Sequence, residues 1–173
     1  KKVSPIKDYD NMVNVQGGNY VDDNQLVGAQ SNIITNGDFT TWTDPAVPNG
    51  WTLSNNDGTN LVEETVPNTC RFISDDGLEV TIRPTVDILT LAGVYTLWID
   101  IKASVVGSLQ FDTGGGTWVD LPTDVADGHA IAFTADGTAF GIKAKDGASC
   151  NVTIDNVVIK KLTLADMQLT FDE

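Results

Sequence analysis

Asn32-Ile33-Ile34-Thr35-Asn36-Gly37-Asp38-Phe39, followed by Asn49-Gly50-Trp51, is the stretch from which the fold is read. An apolar pair runs into an Asn-Gly turn, a phenylalanine follows at once, and a tryptophan closes the intervening loop. This is the pattern of an opening strand pinned by aromatics at both ends. Outward from it the chain divides in three. Residues 1–30 scatter a few apolar side chains among Asn, Asp, Gln and Gly and hold neither the helical nor the strand period, so they are expected to form an extended arm. Residues 31–162 are expected to form one sandwich, and residues 163–173 a C-terminal tail or edge strand.

Within the sandwich the period of two is plain. Residues 78–83, 94–102, 108–112, 140–145 and 151–160 alternate apolar and polar side chains, and Pro84 stops the first of these runs. The alternation assigns Tyr95, Phe111 and Phe140 to the core. Trp51 re-enters the sheet as a core plug after residues 40–49, a proline-bearing surface loop that carries Trp42. Asp-Gly pairs at 57–58, 76–77, 127–128, 136–137 and 146–147 suit the tight turns of antiparallel hairpins. No helix of ordinary length is indicated. Many short strands with turn signals between them describe an all-β protein, and an antiparallel jelly-roll β-sandwich is expected because its paired sheets hide their edges.

The totals narrow the function. Ten Lys and Arg against 24 Asp and Glu give the 173-residue chain a formal charge of -14. That balance argues against nucleic acid and anionic membrane surfaces as partners, since both are held by cationic contacts. No apolar run reaches transmembrane length, so no membrane insertion is expected, and Lys1-Lys2-Val3-Ser4-Pro5 does not read as a signal peptide. Without such a signal the sequon Asn151-Val152-Thr153 is taken as coincidence. Cys70 and Cys150 each open an expected strand; a disulfide and two buried thiols both stay open as readings.

Catalytic motifs are missing. His129, in Asp127-Gly128-His129-Ala130, is expected in a solvated hairpin turn, with no serine elbow and no metal-spaced histidine. A non-enzymatic role follows. The turn at Ser54-Asn55-Asn56-Asp57-Gly58 is not a calcium loop, because Leu53 stands where the first ligand belongs, and Glu64 at the far end does not restore it.

Three motifs in order carry a resemblance. They are the opening stretch with Gly50-Trp51, residues 89–103 centred on Val94-Tyr95-Thr96-Leu97-Trp98, and Val152-Thr153-Ile154-Asp155-Asn156-Val157-Val158-Ile159. Together they resemble the opening, middle and closing strands of carbohydrate-binding modules with the galactose-binding-like jelly roll, most closely the xylan- and cellulose-binding branch, over about residues 31–162. The resemblance implies a structural calcium held in part by an acidic residue after the phenylalanine and an acidic pair in the last strand. Here those positions are Thr40 and Asp155-Asn156, so any calcium held through Thr40 and Asp155 is weakened by lost charge.

Glycan binding needs an exposed aromatic for a sugar's apolar face and planar polar groups for its hydroxyls. Trp98 is the expected platform, on the polar face of its strand beside Asp100 and Lys102. Arg83, Thr81 and Gln110 are expected to join it from neighbouring strands, with Trp42 and Trp118 in loops at the rim. The functional expectation is a non-catalytic carbohydrate-binding module acting in surface recognition, displayed on a phage particle or otherwise extracellular. The alternative is a structural virion protein, a decoration, fibre or adaptor subunit, that contacts neighbouring virion subunits or its own copies through the N-terminal arm.

Overall fold

The computed structural model describes residues 31–44, 46–75 and 78–162, and every element in them is a strand or a connection between strands. The expected arm, the expected tail and the Asp76-Gly77 turn lie outside the described residues. Twelve strands run in chain order as β1 (Trp42–Asp44), β2 (Val47–Pro48), β3 (Trp51–Ser54), β4 (Asn60–Glu63), β5 (Cys70–Ser74), β6 (Thr81–Pro84), β7 (Val94–Val106), β8 (Leu109–Gly114), β9 (Trp118–Asp120), β10 (Ala126–Thr134), β11 (Ala139–Ala144) and β12 (Cys150–Leu162). Ten of them build two five-stranded antiparallel sheets, ordered β10-β7-β12-β5-β4 and β3-β6-β11-β8-β9. This is the expected jelly-roll sandwich.

The sheets close on one another because alternate side chains of each are apolar. Leu97, Ile99 and Ile101 of β7 and Ile154 and Ile159 of β12 are buried from one side; Ile82, Phe111, Phe140 and Ile142 are buried from the other. Phe133 of β10 bridges the layers, its ring centroid 5.6 Å from Tyr95 and 5.3 Å from Phe111. Aromatic pairs at such separations add to the stabilisation that area burial alone supplies. The long strand β12 is central, paired with β5 on one side and β7 on the other.

The opening stretch is a clasp, not a strand. Asn32 Oδ1 accepts from the backbone N–H of both Ile34 and Ile159 at 3.0 Å, and Ile33 N–H donates to the Ile159 carbonyl at 3.0 Å. A turn follows, with Asn36 at φ 52° and Phe39 at φ 49°. Asn36 spends its side chain on three backbone groups: its amide donates to the carbonyls of Thr41 and Asn49, both at 2.9 Å, and its carbonyl oxygen accepts from Thr41 N–H at 3.1 Å. The aromatics do pin it. Phe39 and Trp51 are buried with ring centroids 5.7 Å apart, and Trp51 Nε1 donates to the Asn36 carbonyl at 3.2 Å. The surface loop expected over 40–49 folds as a ribbon of its own, β1 paired with β2 outside both large sheets.

Other expectations shift. Leu78 is 56% exposed and precedes β6 instead of opening it; its carbonyl accepts the Ser74 hydroxyl at 2.7 Å, so this part of the chain is still turning. Asp127-Gly128 is not a hairpin turn but a bulge inside β10, where the register shifts between Ala126 and His129 and Gly128 takes φ 73°. The bulge draws His129 inward: its side chain is 14% exposed, with Nε2 3.1 Å from the Asp124 carbonyl oxygen. Cys70 and Cys150 are two free buried thiols. Both strands carry them in register with other residues, Cys70 opposite Ile154 and Cys150 opposite Ser74, which keeps them apart.

Candidate functional site

Each sheet has one face in the core and one outside, and the outer faces differ. On the β3-β6-β11-β8-β9 sheet the outward residues line up across the strands in two rows. Thr52 pairs with Arg83, Gly141 with Asp112, and Asp112 with Trp118; Ser54 pairs with Thr81, Thr81 with Lys143, Lys143 with Gln110, and Gln110 with Asp120. Five strands set side by side give a face about 19 Å wide.

Trp118 dominates it. The residue stands at the start of the edge strand β9, not in a loop, and is half-buried. Two cations lie against its ring, Lys143 Nζ at 4.5 Å from the centroid and the Arg83 guanidinium at 5.2 Å. Both are attracted by the ring's negative face, which orients the indole over strands β11 and β6. Each cation is also matched to a carboxylate. Arg83 Nη2 donates to Asp112 Oδ2 at 2.7 Å and Nη1 to the Ala139 carbonyl at 2.7 Å. Lys143, with its side chain 6% exposed, donates to Glu79 Oε1 at 2.7 Å and lies 3.7 Å from Asp146.

The face continues with Asp120, which accepts from Gln110 Nε2 and from Lys145 Nζ, both at 2.7 Å. Those two hydrogen bonds, the lysine's first, hold its carboxyl below the usual aspartate range. Asp112 has a second task. Its Oδ1 accepts from Gly114 and Gly116 N–H at 2.9 Å each, and Asp136 Oδ1 accepts from Gly115 N–H at 2.8 Å, so the triple-glycine loop that delivers Trp118 is tied down at every residue. The result is an indole platform with planar polar groups held rigid beside it.

Trp98 is elsewhere. It lies on the outer face of the other sheet, opposite Ala130 of β10 and Val158 of β12, with Lys160 Nζ 5.1 Å from its ring centroid. The expected gathering of Arg83, Thr81 and Gln110 around Trp98 is therefore corrected: β7 belongs to one sheet and β6 and β8 to the other. Asp100 and Lys102 do accompany Trp98 along β7, but they are committed to one another. Lys102 bridges Asp100 at 2.9 Å and Asp127 at 2.7 Å, and Asp100 also accepts from Gly128 N–H and Asn156 Nδ2, each at 2.7 Å. Burial would raise the Asp100 carboxyl, yet the hydrogen bonds from Asn156, Lys102 and Gly128 outweigh it and hold the group low. The same bonds, first from Asp127 and then from Asp100, raise Lys102 above the ordinary lysine range. Trp42 rims neither face: its Nε1 donates to the Phe39 carbonyl at 2.7 Å and its ring packs on the core 6.5 Å from Phe39.

Thr40 Oγ1 donates to Asp38 Oδ1 at 3.2 Å, Asp155 Oδ1 accepts from Asn156 N–H at 2.7 Å, and among the described residues no three His, Cys, Asp or Glu side chains gather to hold an ion. The ammonium of Lys102 already supplies positive charge beside Asp155. Lys143, Glu79 and Gly141 were not among the expected site residues. The alternation of 140–145 put Lys143 and Gly141 on the polar face, but only the strand order shows that Trp118 leans over them.

No family model and no curated protein matches this chain. Among solved structures it is similar to the enzymatically active domain of tailspike protein 4 of bacteriophage CBA120, at 16% identity and a TM-score of 0.47, covering 76% of this chain. The match spans only 21% of that chain's own length. It is also similar to a family 61 carbohydrate-binding module solved with β-1,4-galactotriose (13% identity, TM-score 0.45, 75% of this chain and 98% of that one). A family 29 carbohydrate-binding module from Piromyces equi gives 9% identity and a TM-score of 0.43 over 72% of this chain and 88% of that one. The fold itself rests on the sheet order and register given above: the chain is an all-β, antiparallel jelly-roll sandwich that carries a tryptophan-bearing polar face on one outer sheet.

Proposed function

We propose that the protein is a non-catalytic carbohydrate-binding module whose site is the outer face of the β3-β6-β11-β8-β9 sheet. The observation that carries the reading is Trp118, its indole set against Arg83 and Lys143 beside Gln110 and Asp120, with the buried Asp112 anchoring Arg83 from below. A sugar ring stacks its C–H face on an indole, and hydroxyls need planar donors and acceptors at fixed height beside it; both are supplied here. Rigid partners lower the entropic cost of binding, since the carboxylates and the glycine loop already fix the side chains that would have to be ordered. The resemblance of the three sequence motifs to carbohydrate-binding modules points the same way.

The test is a glycan array of neutral and acidic oligosaccharides probed with the wild-type chain, Trp118→Ala and Trp98→Ala. Selective binding that is lost in Trp118→Ala and kept in Trp98→Ala is the expected result. Binding lost only in Trp98→Ala would move the site to the other sheet, and a blank array with folded protein would reject the glycan reading.

Display on a virus particle is the wider setting we propose, with residues 1–30 as the strap to neighbouring subunits. Its support is the sequence itself, thirty aperiodic residues ahead of a closed sandwich. Limited proteolysis should remove that segment from the isolated chain and leave the sandwich whole; an arm that resists protease in isolation counts against a strap.

A further inference from the structure

We propose that Gly141 is a positioning residue for the Trp118 face: its missing side chain is what lets the Arg83 guanidinium lie flat across β11. The inference rests on the glycan-binding reading for its function but on the geometry for its substance. Arg83 starts on β6 and ends at Asp112 on β8, so its side chain must cross the intervening strand β11. It does so over Gly141. A Cβ placed there would lie 2.9 Å from Arg83 Cγ, 3.1 Å from Nη1 and 3.2 Å from Cζ, so the arginine side chain would have to shift. Gly141 is not required by its own backbone, since its φ is outside the positive region where glycine is favoured.

The flat path has chemical consequences. It lets Nη1 donate to the Ala139 carbonyl and Nη2 to Asp112 while the guanidinium stays 5.2 Å from the Trp118 centroid. A guanidinium has five N–H donors. Two are fixed by those bonds, and the remaining three are the donors offered to ligand oxygens. A methyl group at 141 displaces the arginine from below, with Arg83 as its nearest neighbour.

The test compares Gly141→Ala, Arg83→Ala and the double variant. One readout needs no ligand: the Nη–H protons of Arg83, followed by NMR in labelled protein. In Gly141→Ala their resonances should move and their exchange with water quicken, because the Nη2 bond to Asp112 and the Nη1 bond to Ala139 are lost. Thermal stability should fall, because the buried Asp112 carboxylate loses its Arg83 partner and the gain from alanine in the unfolded chain is smaller than that loss. The second readout is affinity for whichever oligosaccharide the array returns. Losing charge-assisted donors should weaken binding about tenfold or more in Gly141→Ala, with no additional loss in the Arg83→Ala background. An unchanged Arg83 resonance, or equal additive losses in the double variant, overturns the positioning role. A wild-type chain that binds no glycan while its Arg83 resonance responds as described would sink the glycan reading and leave the positioning of Arg83 by Gly141 standing.

Discussion

At the residue scale, two residues of the clasp and two thiols invite measurement. A Cβ on Gly37 would lie 1.9 Å from the Val157 carbonyl oxygen, and Gly37 O already accepts from Val157 N–H at 2.8 Å, so Gly37→Ala has to push the clasp off β12. A loss of about 2 kcal/mol or more is expected in urea unfolding, the size typical of overpacking against backbone. Asn36→Ala leaves two carbonyls and one N–H without their side-chain partner and should cost about 1–3 kcal/mol in the same assay. The thiols should be silent. Burial raises Cys70 far above the ordinary cysteine range and brings Cys150 up to about 11, so the native protein should react with neither equivalent of an aromatic disulfide reagent at pH 8, and with both in denaturant. Fast labelling of either in the native state would contradict their burial.

At the element scale, the turns show what local sequence conveys and where it stops. Each described Asp-Gly pair does fall where the chain bends: Gly58, Gly128 and Gly147 take positive φ, and Asp57 caps its own turn by accepting from Thr59 and Asn60 N–H. None joins two paired strands. Asp57-Gly58 leads from β3 to β4, Asp136-Gly137 from β10 to β11 and Asp146-Gly147 from β11 to β12, each time from one sheet to the other, while Asp127-Gly128 is the bulge in β10. Turn chemistry is local; the choice of partner strand is set by long-range packing, which a period of two cannot reveal. The same limit separated Trp98 from Arg83. Alternation identified which residues of each strand face outward, and so made most of the core and the polar character of Trp118's neighbours legible, but not which strands share a sheet. Strand β12 carries its own testable irregularity, a register shift between Asp155 and Val158. Burial, with repulsion from Asp100 and Asp38, lifts the Asp155 carboxyl above its usual value against the pull of Asn156 N–H and Lys102. A folded-state value above the unfolded one means that ionised Asp155 costs stability at neutral pH, a cost that vanishes below the unfolded value of about 4. Asp155→Asn should therefore raise the melting temperature at pH 7 and leave it unchanged at about pH 3; a fall at pH 7 would show that the charge is favourable. Asp100 behaves oppositely: its carboxyl is held low, so its contribution is present above the unfolded value and is lost as pH falls through the folded one.

At the scale of the whole molecule, the sandwich separates the buried core from the outer face proposed as the glycan site. The inner faces carry the aromatic contacts that hold the layers together, and Phe111→Ala should cost about 3–5 kcal/mol while leaving the outward-facing Gln110 and Asp112 in sequence place. Trp118→Ala, on the outer face, should change the midpoint of unfolding far less than that. The order of strands also bears on how the chain is made. Strand β12 lies in the middle of its sheet yet is the last of the twelve to leave the ribosome, and until residue 162 emerges β5 and β7 each show an unpaired edge in the nascent chain. Synthesis of this sandwich thus ends with the insertion of its keystone, and a stalled or shortened translation product would present two sticky edges to every neighbour it meets.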